Sequence, residues 1–274
     1  MGRWTAETTT WLRLYPRLIR AQIRSQMEYR MSFVAEVIGS LLITALDFVG
    51  LLFLLTRFRS IGGWTLPEVA FLYGTSAVSF ALAEMLSGAF DRFDWYIVRG
   101  EFDRMLIRPL GLIFQVLTAH FPLRRLGRMS QGMLALAVAL HLLEPRWGWL
   151  QWGFLGVTIV SGVVLFMGIF VLGATASFWS PQTYEITNSL TYGGTFMTSY
   201  PMNIYREWMR DLFTFVIPMA FINYYPALYL LGKPFPSDLP RWVGFLSPAI
   251  AALFLWGSLR LWWIGVGRYH STGH

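Results

Sequence analysis

Residues 152–178 run for 27 positions without one charged side chain. A helix needs roughly 20 apolar residues to cross the ~30 Å hydrocarbon layer of a bilayer, so this run alone is long enough to span one. Similar runs place further spans at 32–56, 67–89, 126–143, 210–231 and 245–266, the third being the shortest. None alternates with the period of a strand. Backbone groups in lipid must bond within their own segment, so helices are the spanning element. The expected architecture is all-α and integral to the membrane, with six transmembrane helices in a domain covering 32–274.

The composition agrees. Charged residues make up 14% of the chain, against about 25% in soluble proteins. The 55% hydrophobic content excludes intrinsic disorder, and the lack of cysteine excludes a disulfide scaffold. A net charge of +7 would suggest nucleic acid in a soluble protein; in a membrane chain it reports sidedness instead. Arg3, Arg13, Arg17, Arg20, Arg24 and Arg30 precede the first span, and Arg92, Arg99, Arg104, Arg108, Arg124, Arg125 and Arg128 separate the second from the third. Adding Arg206, Arg210 and Arg268 gives sixteen basic residues on one side. Five lie on the other: Arg57, Arg59, Arg146, Lys233 and Arg241. Positive charge concentrates in cytoplasmic loops, which puts both termini in the cytoplasm.

No cleavable signal sequence is evident in the first forty residues. Instead, residues 1–31 form an N-terminal cytoplasmic or interfacial segment, with an amphipathic helix starting at Pro16. Arg17, Arg20 and Arg24 fall on one face of it, and Leu18, Ile19, Ile23 and Met27 on another. The plainer alternative is a simple extension of the first span.

The chain lacks the motifs of common chemistries. Its only lysine, Lys233, is followed by Pro234, so no phosphate-binding loop of the GxxxxGK[ST] type exists. HExxH, GxSxG and CxxC are absent, and His120, His141, His270 and His274 have no metal-ligand spacing. Neither catalysis nor a metal site is expected.

The loop between the second and third spans is the most distinctive stretch. It mixes charge with Phe93, Ile97, Phe102, Leu106 and Ile107. Gly100 interrupts it, Glu101 and Asp103 suit a helix N-terminus, and Pro109 closes it. A short amphipathic helix here can act as a lever for a docked protein, or lie on the membrane surface with no partner.

The run Gly100-Glu-Phe-Asp-Arg-Met-Leu-Ile-Arg-Pro-Leu110 resembles a signature of ATP-binding-cassette transporter permeases of the type 2, exporter class. It is most similar to a six-span subfamily. Gln26-Met-Glu-Tyr-Arg30, Gly63-Trp64, Leu72-Tyr-Gly74, Tyr200-Pro-Met-Asn-Ile-Tyr205 and the stretch from Phe215 to Ala227 add to the likeness. The resemblance implies a permease in the plasma (inner) membrane of a prokaryote, paired with a second permease, identical or related. Two ATPase subunits would bind ATP and magnesium, so this chain would hold no cofactor and bind no nucleic acid, only membrane lipids. It further implies a coupling helix, the ATPase contact, at Gly100, Glu101, Phe102, Asp103, Arg104, Met105, Leu106 and Arg108, and spans two and five facing the partner permease and the path.

Other residues carry two readings each. Ser79, Ala83 and Ser87 form a small-residue stripe on span two, suited to a permease–permease seam or to packing within one bundle. Pro218 and Pro226, with Asn223 and Tyr224 between them, bend the fifth span into a gate on the path or serve structure alone. Asp47, at mid-depth, costs roughly 2.5–3.5 kcal/mol if ionised, so it faces inward for a substrate or a structural hydrogen bond. Glu84 suits an ion pair with interfacial arginines. Trp147, Trp149 and Trp152 on one side, and Trp262 and Trp263 on the other, suit interfacial belts. Residues 188–200 suit a short interfacial or broken helix. Alternative functions are a membrane-embedded lipid-acting enzyme and a non-catalytic assembly subunit.

Overall fold

A computed structural model describes residues 2–28, 30–57, 60–180, 184–236 and 239–269; the side chains at 2–12 and at several positions within 40–57 and 184–190 lie outside the described set. The helices are, in chain order, α1 (Gly2–Glu28), α2 (Arg30–Arg57), α3 (Leu66–Asp91), α4 (Phe93–Val98), α5 (Glu101–Leu106) and α6 (Leu112–Ala119). There follow α7 (Arg125–Leu143), α8 (Trp149–Ala176), α9 (Tyr184–Thr198), α10 (Glu207–Asp211), α11 (Tyr224–Leu230) and α12 (Ser247–Gly267). Among the described residues, four stretches are long and apolar enough to cross a membrane: Leu66–Val98, Arg125–Leu143, Trp149–Ala176 and Arg241–Gly267.

α3 is the axis of the bundle. From Val69 to Asp91 nearly every side chain is buried, because α7, α8, α6 and α9 close around it. Two glycines let α7 come close. A Cβ added to Gly74 would meet the backbone nitrogen of Leu136 at 2.7 Å, and one on Gly132 would meet the Ala77 Cβ at 2.9 Å. Gly74→Val is therefore expected to lower stability by about 1–3 kcal/mol through overpacking, measured by thermal unfolding in detergent. Gly50→Val meets open space at its Cβ and serves as the control.

This packing assigns the small stripe to the bundle itself. The Ser79 hydroxyl donates to the Ile159 carbonyl at 3.1 Å, Ala83 is fully buried, and the Ser87 hydroxyl donates to Ala83 at 2.6 Å. The seam reading of Ser79, Ala83 and Ser87 is corrected accordingly: all three pack within the chain, and of α3 only Leu86 stays exposed. At Ser87 the backbone leaves helical geometry (φ −136°) and α3 bends.

The connection from α2 to α3 is a tight turn. Ile61 and Trp64 exchange backbone hydrogen bonds of 2.9 and 3.0 Å around Gly62 and Gly63, both with positive φ (58° and 80°), as a primed hairpin turn requires. This turn marks one end of the bundle; the loop after α3 marks the other.

The expected fifth span, 210–231, is corrected by where its ends lie. Asn203 donates to the Gly62 carbonyl at 2.7 Å, and Lys233 donates to the Gly63 carbonyl at 2.8 Å. Lys233 also pairs with Glu68 at 2.8 Å and sits over the Trp64 ring. Both flanks of the segment are thus held at the same turn, so the chain enters and leaves on one side. Between them, Glu207–Val216 and Met219–Leu230 meet at a bend of 75°. Pro218 makes the bend: the residue before a proline is pushed out of the α region, and Ile217 is extended (φ −118°, ψ 93°). Pro226 does not bend anything, since it sits in the first turn of α11, where its missing N–H has no partner to lose. The tip reaches inward as far as Ile222, which touches the Gly162 position of α8 beside Ser79.

The end-to-end pass before this re-entrant hairpin is made by α9. Its middle lies near Glu84 toward the loop end of α3, through Tyr192, and its last turn reaches Ser76, whose hydroxyl lies 2.6 Å from that of Thr198. Asn203 then contacts the far turn. The segment 188–200 is therefore helical to Thr198 with one face buried: Thr191, Thr195 and Thr198 are each under 5% exposed, while Phe196 points outward. Arg206 and Arg210 consequently move to the opposite side, which changes the basic bias from sixteen against five to fourteen against seven.

α1 begins at Gly2, so Pro16 lies inside the helix and does not start it. The cost is the bond that residue 16 would give to residue 12. Arg13, Arg17, Arg20 and Arg24 are exposed, as the amphipathic pattern requires. The opposite face is fastened by Gln22, which donates to Ala119 at 3.0 Å. Gln26 donates to Phe121 at 2.7 Å and accepts from Leu123 N–H at 3.1 Å.

Candidate functional site

Two structures stand at the loop end of the bundle: an anchored pair of surface helices and a buried polar clamp. The pair is α4 and α5, joined by Gly100 in the left-handed region (φ 65°). α5 has two faces. Phe102 and Met105 are buried, while Leu106 (44% exposed), Ile107 (84%), Arg104 and Arg108 face outward. Trp95 and Val98 of α4 extend that outward surface, with the Arg99 guanidinium 4.1 Å above the Trp95 ring.

Of the eight residues expected to contact an ATPase, Phe102 and Met105 are corrected: an amphipathic helix lying on a bundle must bury one side, and they are that side. The Phe102 ring packs on Phe93 (5.3 Å), Phe178 (5.4 Å) and Tyr269 (4.9 Å), and Phe93 packs on Trp262 (4.6 Å). These rings come from α4, α5, the residues after α8, α12 and the C-terminal stretch. The helix pair is thereby rooted in the ends of two long helices. Trp262 is fully buried at the centre of this cluster, so its assignment to an interfacial belt is also corrected; Trp263 (48% exposed) and Trp149 (81%) remain outward. Burial first, and then the neighbouring Asp103 carboxylate, pushes the Tyr269 hydroxyl up to about 12. Gln115 of α6 donates to the carbonyls of Met105 (3.0 Å) and Leu110 (2.7 Å), capping the end of α5.

The polar clamp joins α3, α7 and α9. Glu84 is 2% exposed and pairs with Arg125; Arg128 lies 4.0 Å away. Arg125 donates to the Tyr192 hydroxyl at 2.8 Å. That hydroxyl lies 2.9 Å from Glu84 and 3.3 Å from Asp91, donating to one of them at a time. The expected ion pair of Glu84 is present, but its setting is deeper than an interface. Sequence reasoning missed Asp91 and Tyr192; the only available signal was Tyr192 within a polar run. Beside this cluster, burial lowers the His120 imidazole below its ordinary value, and Arg92, Arg124 and Arg125 lower it further.

The remaining candidates are scattered. Asn223 is buried at the hairpin tip, donating to Leu72 (2.8 Å) and Thr198 (2.7 Å), so it ties the hairpin to α3 and α9. Tyr224 packs on Trp64 (5.7 Å), and Pro226 is buried. Pro218 lines an apolar cavity beside α12. Asp47 belongs to α2, but its side chain lies outside the described residues. Among the described residues, no group of three or more His, Asp or Glu side chains is placed to hold a metal.

The fold defines a helical, multi-pass membrane protein. The family described as ABC-2 family transporter protein matches residues 41–273, and the chain belongs to that family. Membership implies association with an ATP-binding-cassette ATPase. Neither the curated proteins nor the solved structures yield a match.

Proposed function

We propose that the chain is the membrane subunit of an ATP-driven exporter, moving substrate by alternating access. Its six crossings are α2, α3, α7, α8, α9 and α12, with the lever and both termini in the cytoplasm of a prokaryotic cell. Two ATPase subunits bind and hydrolyse ATP with magnesium and push on the outward face of α4 and α5. One observation carries this reading: an exposed apolar and basic surface sits directly on a buried aromatic root shared with α8 and α12. A force applied at Ile107 is transmitted to packed helices rather than lost in a loop, because packed cores switch between discrete arrangements. A second permease, identical or related, pairs along α2, whose Ile38, Leu42, Leu46 and Val49 form an exposed stripe.

The test is the pair Leu106→Asp and Ile107→Asp. Both side chains are exposed, so the chain should insert and fold as before. Co-purification of the partner ATPase is expected to fall at least about tenfold, the equivalent of about 1.4 kcal/mol. Unchanged co-purification would overturn the lever assignment.

A further inference from the structure

A cavity of about 810 Å³ lies between the hairpin and α12. Its wall is almost wholly apolar, with Val216, Pro218 and Phe221 on the hairpin side and Ile250, Leu253 and Gly257 on α12. Three polar side chains interrupt it: Arg260, Thr214 and Ser258, whose hydroxyl donates to the Phe254 carbonyl at 2.9 Å. Arg260 stands at one end, its guanidinium 5.2 Å from the Trp256 ring. Thr214, 6% exposed, lines the cavity with a buried hydroxyl that has no hydrogen-bond partner.

The dimensions fit an acyl chain. Arg260 and Ile250 are ten residues apart on α12, or about 15 Å at 1.5 Å per residue. That matches half of the ~30 Å hydrocarbon thickness. Arg260 is seven residues from the end of α12, in the leaflet nearest the lever, where a long basic side chain reaches headgroups. A guanidinium binds phosphate through paired donors more firmly than a neutral head.

We propose that this cavity is a binding site for one anionic membrane phospholipid, its phosphate on Arg260 and an acyl chain running along α12 toward Pro218. The ligand enters sideways from the bilayer, and the site exists whether or not an ATPase is docked.

The test uses the full chain in nanodiscs containing phosphatidylglycerol and phosphatidylcholine in equal amounts, with lipid retained after detergent exchange counted by native mass spectrometry. The wild type is expected to keep one phosphatidylglycerol. Arg260→Gln should reduce that retention about tenfold, the equivalent of about 1.4 kcal/mol, whereas Arg260→Lys should keep most of it. Gly257→Leu leaves the charge intact and fills the groove; a Cβ there meets open space, so folding is preserved and retention should fall as far. Inorganic phosphate in excess should not displace the lipid. Equal retention of phosphatidylcholine, unchanged retention in Gly257→Leu, or displacement by phosphate would each overturn the proposal.

Discussion

Replacing Arg125 with methionine is expected to destabilise the folded chain by about 3–5 kcal/mol, the cost of removing one partner from a buried ion pair. Arg125 reaches both Glu84 and the Tyr192 hydroxyl. Without it, two carboxylates, Glu84 and Asp91, face one hydroxyl and a guanidinium at 4.0 Å from Glu84. Glu84 is 2% exposed, so water cannot replace the lost charge. The Arg125→Met substitution keeps a long apolar stem, which separates the charge effect from a packing defect. Lysine should fall between the two, retaining charge but not the guanidinium's several donors. The double variant with Glu84→Gln should recover part of the loss, since the uncompensated charge is then gone. An unfolding midpoint for Arg125→Met equal to that of the wild type would show that the clamp holds nothing.

Truncating Phe102 to alanine is expected to cost about 3–5 kcal/mol as well, for a different reason. Its ring is fully buried and meets Phe93, Phe178 and Tyr269 edge-on. Edge-to-face aromatic pairs each add roughly 0.5–1.5 kcal/mol beyond burial, and the space left behind cannot collapse while Gly265 and Phe178 pack together. Phe102→Leu should lose less, because it refills most of the volume. Thermal unfolding of the two variants measures the difference; a loss below about 1 kcal/mol for alanine would mean that the lever is not rooted where the rings meet. The same variants separate anchoring from docking: Phe102→Ala weakens the fold, whereas Ile107→Asp leaves it intact.

Much of this arrangement is legible in the residues. The apolar runs at 126–143 and 152–178 become α7 and α8 with ends shifted by a few positions, because lipid solvation acts on each residue of a helix independently. Gly100 and the acidic pair after it predict α5, but the apolar set read from the sequence joins Phe102 with Leu106 and Ile107, whereas the buried side is Phe102 and Met105. What spacing does not say is which face meets the bundle. The tryptophans show the same division: Trp149 and Trp262 are chemically alike, yet one is 81% exposed and the other fully buried.

The hairpin and α9 mark the boundary most clearly. Residues 212–231 are apolar enough to span a membrane, and 188–200 are too polar to be recognised as a span. Their packing does not follow their polarity. α9 is shielded by α3, α8 and the hairpin, and its threonines and Tyr192 find hydrogen-bond partners there; the apolar stretch instead bends at Pro218 and returns to the turn it left. Hydropathy and local conformational preference belong to each residue alone, and they suffice to make this a helical membrane protein with a charged, amphipathic loop. Which segments traverse the bundle, which fold back, and which rings root the lever were decided only by tertiary structure, because burial by neighbours changes what a polar or apolar residue costs at a given depth.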